Sequence, residues 1–441
     1  MRMVRMKRQL VLALVVSFIA SGLPSVGRSQ TKPAQRSHQV TLLENWLLSH
    51  RGAESGLPVS HVGDPRFTDW CFTYDAAVAA LAFIAVDRSG EAARIVDFYI
   101  KTPYMHRLGG IIEAVTVVPP YSGQDWSVRA GANLWMGLAS YHLFKSIHDK
   151  KYLAFAARIA DFAMGLQDRR RTSRTYGGIT IGPKGDPSNN KDQHFDYDAG
   201  MPGFNQVFST EATVDAFALF NMLGREPGMA RFKAARDGCL VWLKKVGWNP
   251  VDQRFNRGFH QEPDYAVATD VQAWAISALG VARLAAIEPG AAEHMVRFVE
   301  AHCLSTVAYR LPDGRRVMVK GFDFMDDGAR AYYKRPPLVS PEWTFEMGNA
   351  YKRLADDYGI MGQTRKAGLY TGKREDLLTQ LMRMASIQGN AAGFPYATIG
   401  EATIGHEYET PVKGSFSMIG TTYGILALTG YDPLRFPGRG D

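Results

Sequence analysis

Four segments set a hydroxyl residue within two positions of a carboxylate, each at the start of a long apolar helical pattern: Thr73-Tyr74-Asp75, Ser209-Thr210-Glu211, Thr269-Asp270 and Ser340-Pro341-Glu342. Helix capping alone could account for them. A hydroxyl at the N-cap is worth ~1 kcal/mol, and an acid in the first turn gains ~0.3–1 kcal/mol from the helix dipole. The chemical reading is sharper. If these helices stand side by side in one direction, their starts gather acidic side chains around one mouth, and paired carboxylates are what acid/base cleavage of a glycosidic bond requires. The helices that follow bury small apolar residues, so carboxylates at their starts are partly desolvated. Desolvation raises a carboxyl pKa, as a general acid working near neutral pH needs.

Glu211 is the expected acid, with Asp215 one turn below it on the same face. Glu346 is the expected base, one turn inside its helix and sharing a face with Glu342. Asp75 and Asp270 follow, as substrate clamps or as the true base. Aromatic residues gather near the same starts. Trp70, Tyr74, Trp126, Trp343 and Tyr396 are expected to line sugar subsites with Asp215 and Glu342, because sugar C–H faces stack on aromatic rings. Trp135 and Trp274, embedded in helical patterns, read as packing residues.

The elements that must position these groups fall into two alternating sets when apolar residues are read at i, i+3, i+4 and i+7. One set is apolar on nearly every face: 74–86, 130–144, 210–223, 270–282, 341–354 and 416–428. The other is amphipathic: 91–100, 151–167, 229–246, 291–302 and 374–387, with 40–50 as the sixth member, placed to close the ring against the last inner helix. A helix apolar all round must be surrounded by protein, whereas one with a polar face can lie outside. Twelve helices in two concentric layers make a closed toroid of hairpins. Gly109-Gly110-Ile111, Gly177-Gly178-Ile179, Gly258-Phe259, Gly321-Phe322 and Gly393-Phe394 mark short strands or turns that carry the chain back to the mouth.

This alternation resembles the six-hairpin glycosidase superfamily. So do Tyr74-Asp75-Ala76-Ala77, Gly131-Ala132-Asn133-Leu134-Trp135, Ser209-Thr210-Glu211 through Asp215, and Thr421-Thr422-Tyr423-Gly424. The resemblance covers nearly all of residues 30–441. It implies an all-α (α/α)6 barrel as a single domain, a carbohydrate cleft at the N-terminal end of the inner helices, and hydrolysis with inversion. Two other activities stay open on the same toroid. A sugar epimerase would use paired histidines, with His194, His260 and His406 in returning loops. A polysaccharide lyase would use a tyrosine or histidine such as Tyr332, Tyr333 or Tyr408, with Arg129, Lys320, Arg330 and Lys334 to neutralise an acidic sugar. A toroid that binds a glycan without cleaving it is the remaining alternative.

Residues 1–29 read as a secretory signal peptide: a basic start, an apolar run from Leu10 to about Ala20, then small and polar residues. The expected location is periplasmic or secreted, without stable membrane insertion after cleavage. The net charge of +8 comes largely from this leader, whose Arg2, Arg5, Lys7, Arg8 and Arg28 have no acidic counterpart. Taking those five from 51 basic residues leaves 46 against 43 acidic ones, or +3, which gives no support for a nucleic-acid partner. Cys71, Cys239 and Cys303 are far apart and fit buried thiols, with at most one disulfide. No metal-type spacing, phosphate-binding glycine loop or dinucleotide fingerprint is present, so the chemistry is expected to need neither cofactor nor metal.

Overall fold

A computed structural model describes residues 37–184, 203–405 and 409–436, so the leader lies outside the described residues. The first helix, α1, is His38–Ser49. Three hairpins follow: α2 (Thr73–Ala85) with α3 (Ser89–Lys101), α4 (Ala130–Ile147) with α5 (Lys150–Leu166), and α6 (Thr210–Leu223) with α7 (Arg231–Trp242). Next come α8 (Thr269–Ile287) with α9 (Ala291–His302), and the short α10 (Asp327–Tyr332). The last hairpin is α11 (Pro341–Ile360) with α12 (Thr364–Met382), before the final α13 (Met418–Thr429).

The apolar helices form a closed ring: α2 packs on α4, α4 on α6, α6 on α8, α8 on α11, α11 on α13, and α13 on α2. Each amphipathic helix covers one member of that ring, α3 on α2 and so on to α12 on α11, while α1 covers α13. This is the (α/α)6 toroid. The first and last turns of the ring are also joined by a strand pair, His61–Val62 against Phe416–Ser417. At the far end, the buried His142 of α4 meets the Tyr431 hydroxyl at 2.5 Å and the Pro433 carbonyl at 2.9 Å. Helix α8 is long and apolar enough by composition to cross a membrane, but here its faces are taken by α6, α9 and α11. It breaks at Gly280, where Asp357 of α11 accepts the freed Val281 N–H at 2.8 Å.

One device repeats around the ring. The fourth residue of five inner helices is polar, fully buried, and closed on the backbone of a returning segment. Asn133 binds both the N–H and the C=O of Ile111, at 2.8 and 3.0 Å. Thr213 accepts from Ile179 N–H, Thr344 from Phe322 N–H and Thr421 from Phe394 N–H, at 3.1, 2.8 and 3.1 Å. Gln272 binds both backbone groups of Phe255. In α2 the fourth residue is Ala76, and Thr73 at the first position donates to the Ile112 carbonyl instead. These bonds satisfy buried backbone groups that a short strand would otherwise leave open. The close approach also explains the glycines before the docked residue: a Cβ on Gly321 would lie 2.8 Å from Thr344 Oγ1, and one on Gly393 2.6 Å from the Trp46 indole nitrogen.

Four of the five glycine-led repeats are docked in this way. In the fifth hairpin, Phe255 on strand Arg254–Phe255 is the docked residue, and Gly258–His260 joins a separate four-stranded sheet with Ile179–Thr180, Phe208–Ser209 and Glu262–Asp264. The outer helix expected at 374–387 begins ten residues earlier, at Thr364, and ends at Met382, with Ile387 in the strand Ser386–Gln388. The early part of α12 is rich in charged and small residues and largely exposed, so it lacks the apolar stripe that marks a helix. Helix α7 ends in a π-turn over Leu243–Gly247, and a hairpin of Leu304–Arg310 with Arg316–Phe322 fills part of the long loop before α11. All three cysteines are buried and free.

Thr344→Val keeps the shape of the side chain and leaves the Phe322 N–H buried without its partner. It should cost about 1–3 kcal/mol in a urea-denaturation midpoint. The same change at exposed Thr371 of α12 should stay within about 0.5 kcal/mol.

Candidate active site

Docking the fourth residue outward fixes which residues face the axis. At 100° per residue, the second and sixth positions share a face roughly opposite the fourth. The second positions are Tyr74, Gly131, Glu211, Asp270, Glu342 and Ile419. The sixth, about 6 Å deeper, include Trp135, Asp215, Trp274, Glu346 and Tyr423. The two tiers meet as these positions require. The Tyr74 hydroxyl donates to Glu342 Oε1 at 3.1 Å and lies 3.1 Å from the Tyr423 hydroxyl. Ring centroids of Trp135 and Trp274 are 5.0 Å apart, with Tyr74 at 5.4 Å and 6.2 Å from them.

The expected carboxylates therefore converge. Asp270 acts electrostatically on Asp215, Glu342 and Glu346, and Glu211 acts on all of these and on Asp270. Asp75, at the third position of α2, sits to one side of the axial tier, where it bears on Glu342 and on Glu113. Glu113 was not anticipated from the sequence. It lies in the returning segment before α4 and is buried, with Oε2 unpaired among the described residues. Its signal was available: it is the lone charge in the apolar run from Ile111 to Val118.

Capping explains few of these acids. In the inner ring, the N-cap side chains that bond helix N–H groups are Ser209, Ser340 and Ser417. Thr73 and Thr269 are first helical residues whose hydroxyls hold the carbonyls of Ile112 and Asp323, both at 2.7 Å. Among the acids, Asp270 accepts a helix N–H, from Val271 at 2.6 Å. Glu346 and Asp215 leave both oxygens without a partner among the described residues. The indole N–H groups of Trp274 and Trp135 lie near them and favour their charged forms, yet close no bond within 3.5 Å.

Burial dominates the electrostatics. It pushes Asp75 and Glu211 up to about 7 and Glu113 up to about 8, against the lowering by Ser60 on Asp75 and by the Arg129 guanidinium on Glu211 and Glu113. Asp215, Asp270, Glu342 and Glu346 are held well above the carboxylate range by burial first and then by one another. Of the first-tier acids, Glu211 is half-buried while Asp270 and Glu342 are buried. Burial likewise pushes the phenols of Tyr74, Tyr396 and Tyr423 up.

The aromatic residues form a chain around the mouth. Trp70 meets Phe67, Phe67 meets Phe72, and both Phe67 and Phe72 meet His61. His61 packs edge-on to Tyr396, Tyr396 stacks on Phe324, and Phe324 meets Trp343 with centroids 4.6 Å apart. Trp70 and Trp343 are buried at its ends, whereas Phe67, Phe72, His61 and Tyr396 are half-exposed. Trp126, also half-buried, receives the Arg107 guanidinium on its carbonyl. Trp135 and Trp274 are buried in the core, as the packing reading expects, and share the tier of Asp215 and Glu346. Of the residues named for other chemistries, Arg129 lies beside Glu113 and Glu211. His260 lies on the Gly258–His260 strand opposite Glu262, Lys320 pairs with Asp376, and Arg330 binds the carbonyls of His302 and Met325. Tyr332 and Tyr333 are exposed on and beside α10, and His194, His406 and Tyr408 fall outside the described residues.

Carboxyls whose folded pKa is raised contribute stability that is complete below their unfolded values, about 3.8 for Asp and 4.5 for Glu, and is lost as pH rises through their folded values. Without ligand the protein should therefore lose thermal stability between about pH 5 and pH 8. Glu346→Gln, which removes one potential charge and supplies N–H donors to its neighbours, should raise Tm on the alkaline side by ~2–5 °C and flatten the slope. A differential-scanning melt across pH checks both.

No family model and no curated relative matches this sequence. Solved structures do match its fold. The unsaturated glucuronyl hydrolase of Bacillus sp. GL1 superposes with a TM-score of 0.57 at 14% identity, over 89% of this chain and 93% of that one. A family 76 α-mannanase of Bacteroides thetaiotaomicron gives 0.58 at 10% identity, over 90% and 94%. A sugar epimerase from a ruminal bacterium gives 0.58 at 9% identity, over 88% and 96%. With its ring closed and its inner helix starts gathered at one end, the chain has the (α/α)6 toroid fold that these solved structures share.

Proposed function

We propose that this protein is an exported glycoside hydrolase that cleaves an oligo- or polysaccharide at the axial mouth. The observation that carries the reading is the pairing of a half-buried carboxyl, Glu211, with a buried one, Asp270, on adjacent inner helices. Two carboxyls in unequal surroundings ionise in sequence, so one proton remains on the pair over a range of pH. Glu211 has the Arg129 charge beside it and more solvent, so it ionises first. Asp270 is more fully buried and repelled by Glu211, so it keeps its proton. In this state Asp270 is the acid that protonates the leaving oxygen. Glu211 is then the base that takes a proton from water on the opposite face of the sugar, giving inversion. This exchanges the role that sequence alone suggested for Glu211, and leaves Glu346 as a deeper residue behind the working pair.

The half-exposed rings of Phe67, Phe72, His61 and Tyr396 supply faces on which a sugar could stack. Fold neighbours lend general support: one solved structure is a family 76 α-1,6-mannanase in complex with α-1,6-mannotriose. A lyase with a tyrosinate base has less support, since burial holds the axial phenols protonated. Export is proposed on the leader at residues 1–29, and a periplasmic or secreted location follows from it.

A panel of defined mannans, glucans, uronans and amino glycans should include one from which the purified protein releases reducing ends. On that substrate, Glu211→Gln and Asp270→Asn should each lower the rate by ~10²–10⁴-fold while circular dichroism stays unchanged. The rate should rise with pH through about 7 as Glu211 ionises, then fall as Asp270 loses its proton. A rate that only falls as pH rises would return the acid's role to Glu211. An unsaturated product would exclude hydrolysis.

A further inference from the structure

The axial mouth carries more carboxyls than one acid/base pair needs, and their surroundings are lopsided. On the α4–α6 side, Arg129 lies close enough to lower both Glu113 and Glu211. On the α8 side, Arg257 acts on Asp270, but it is already committed to Asp264 at 2.7 Å and to the Gly405 carbonyl at 2.8 Å. On the α11 side no basic residue among the described residues ranks among the strongest influences on Glu342 or Glu346, where the neighbouring charges are Asp75, Glu211 and Asp270. Glu346 is 2% exposed with both oxygens unpaired among the described residues, and Glu342 is 4% exposed and receives one donor, Tyr74. The Trp274 indole N–H lies near Glu346 without closing a bond, and a buried carboxyl left so short of donors is a costly arrangement that a bound partner can relieve.

Three kinds of sugar substituent relieve it unequally. A hydroxyl offers one donor and no charge. A uronic carboxylate adds another negative group to a cluster already short of positive ones. An ammonium offers three donors and the missing charge together. We propose that the sugar bound at this mouth carries a free amine, whose ammonium is received by Glu342 and Glu346 on the α11 side. This rests on the hydrolase reading and narrows its substrate to amino sugars that are not N-acetylated. With the ammonium in place, carboxyls that burial and mutual repulsion otherwise keep protonated can ionise around it.

Binding to the full-length protein tests this with monosaccharide probes that differ in one group: glucosamine, galactosamine and mannosamine against the parent hexoses, their N-acetyl forms and glucuronate. Calorimetric titration at neutral pH should show at least one amine binding tenfold or more tighter than its hydroxyl and N-acetyl counterparts, with glucuronate the weakest. Glu346→Gln should erase that preference while keeping a cooperative melt. If that variant does not fold, Glu342→Gln serves in its place. Equal or tighter binding of every hydroxyl or N-acetyl counterpart, no amine binding at all, or a preference that survives both substitutions would overturn the proposal. The two readings fail separately. Glu211-dependent cleavage of a neutral glycan without amine preference sinks this inference alone, whereas amine-selective binding with no cleavage of any amino glycan sinks the hydrolase reading.

Discussion

A buried polar side chain at the fourth position of the inner helices, closed on the backbone of the segment returning from the outer layer, is the contact on which this architecture turns. Asn133, Thr213, Gln272, Thr344 and Thr421 each satisfy backbone groups that could find no water where they lie. In doing so each sets the rotation of its helix. With the fourth residue turned outward, the second and sixth must look inward, and in four of the five cases a glycine before the docked residue leaves room for the side chains packed against it. The chemistry of the mouth is thus placed by hydrogen bonds made behind it, in the layer between the rings.

That placement sets two electrostatic effects against each other. A carboxylate in the first turn of a helix is favoured by the dipole by ~0.3–1 kcal/mol, whereas one pK unit of desolvation amounts to ~1.4 kcal/mol in the other direction. At the axis the second effect wins for Asp75, Glu211, Asp270 and Glu342, because each starts a helix enclosed by others. The dipole and the Val271 N–H temper the outcome at Asp270 without reversing it. The consequence is a group of carboxyls that hold protons near neutral pH, with Glu211 the most accessible to solvent of those in the axial tier.

Much of this was legible in the chain because the inner and outer helices differ so plainly in composition. Inner helices such as α2, with five fully buried alanines, admit no polar face, while α3 carries charge along one side. Where the pattern thinned, reading became harder. The first turns of α12 pack little apolar surface, and Gly258-Phe259 resembles the docking repeat in sequence although Phe255 makes the contact. The acids at the mouth were found by their position at helix starts. Glu113 was not, since it sits in a returning segment, and Thr73 and Thr269 were taken for caps because a hydroxyl before a helix usually is one. The order proposed for Glu211 and Asp270 rests on relative burial and on Arg129 reaching across from the start of α4, and neither burial nor reach is written in local sequence.

The pairing of His61–Val62 with Phe416–Ser417, and the covering of α13 by α1, join the beginning of the toroid to its end. A nascent chain can therefore assemble hairpins as they emerge from the ribosome but cannot shut the ring until nearly the whole polypeptide is available. Contacts of such long sequence separation form late and slowly. Under the export proposed above, that delay would keep the chain threadable until synthesis is almost done.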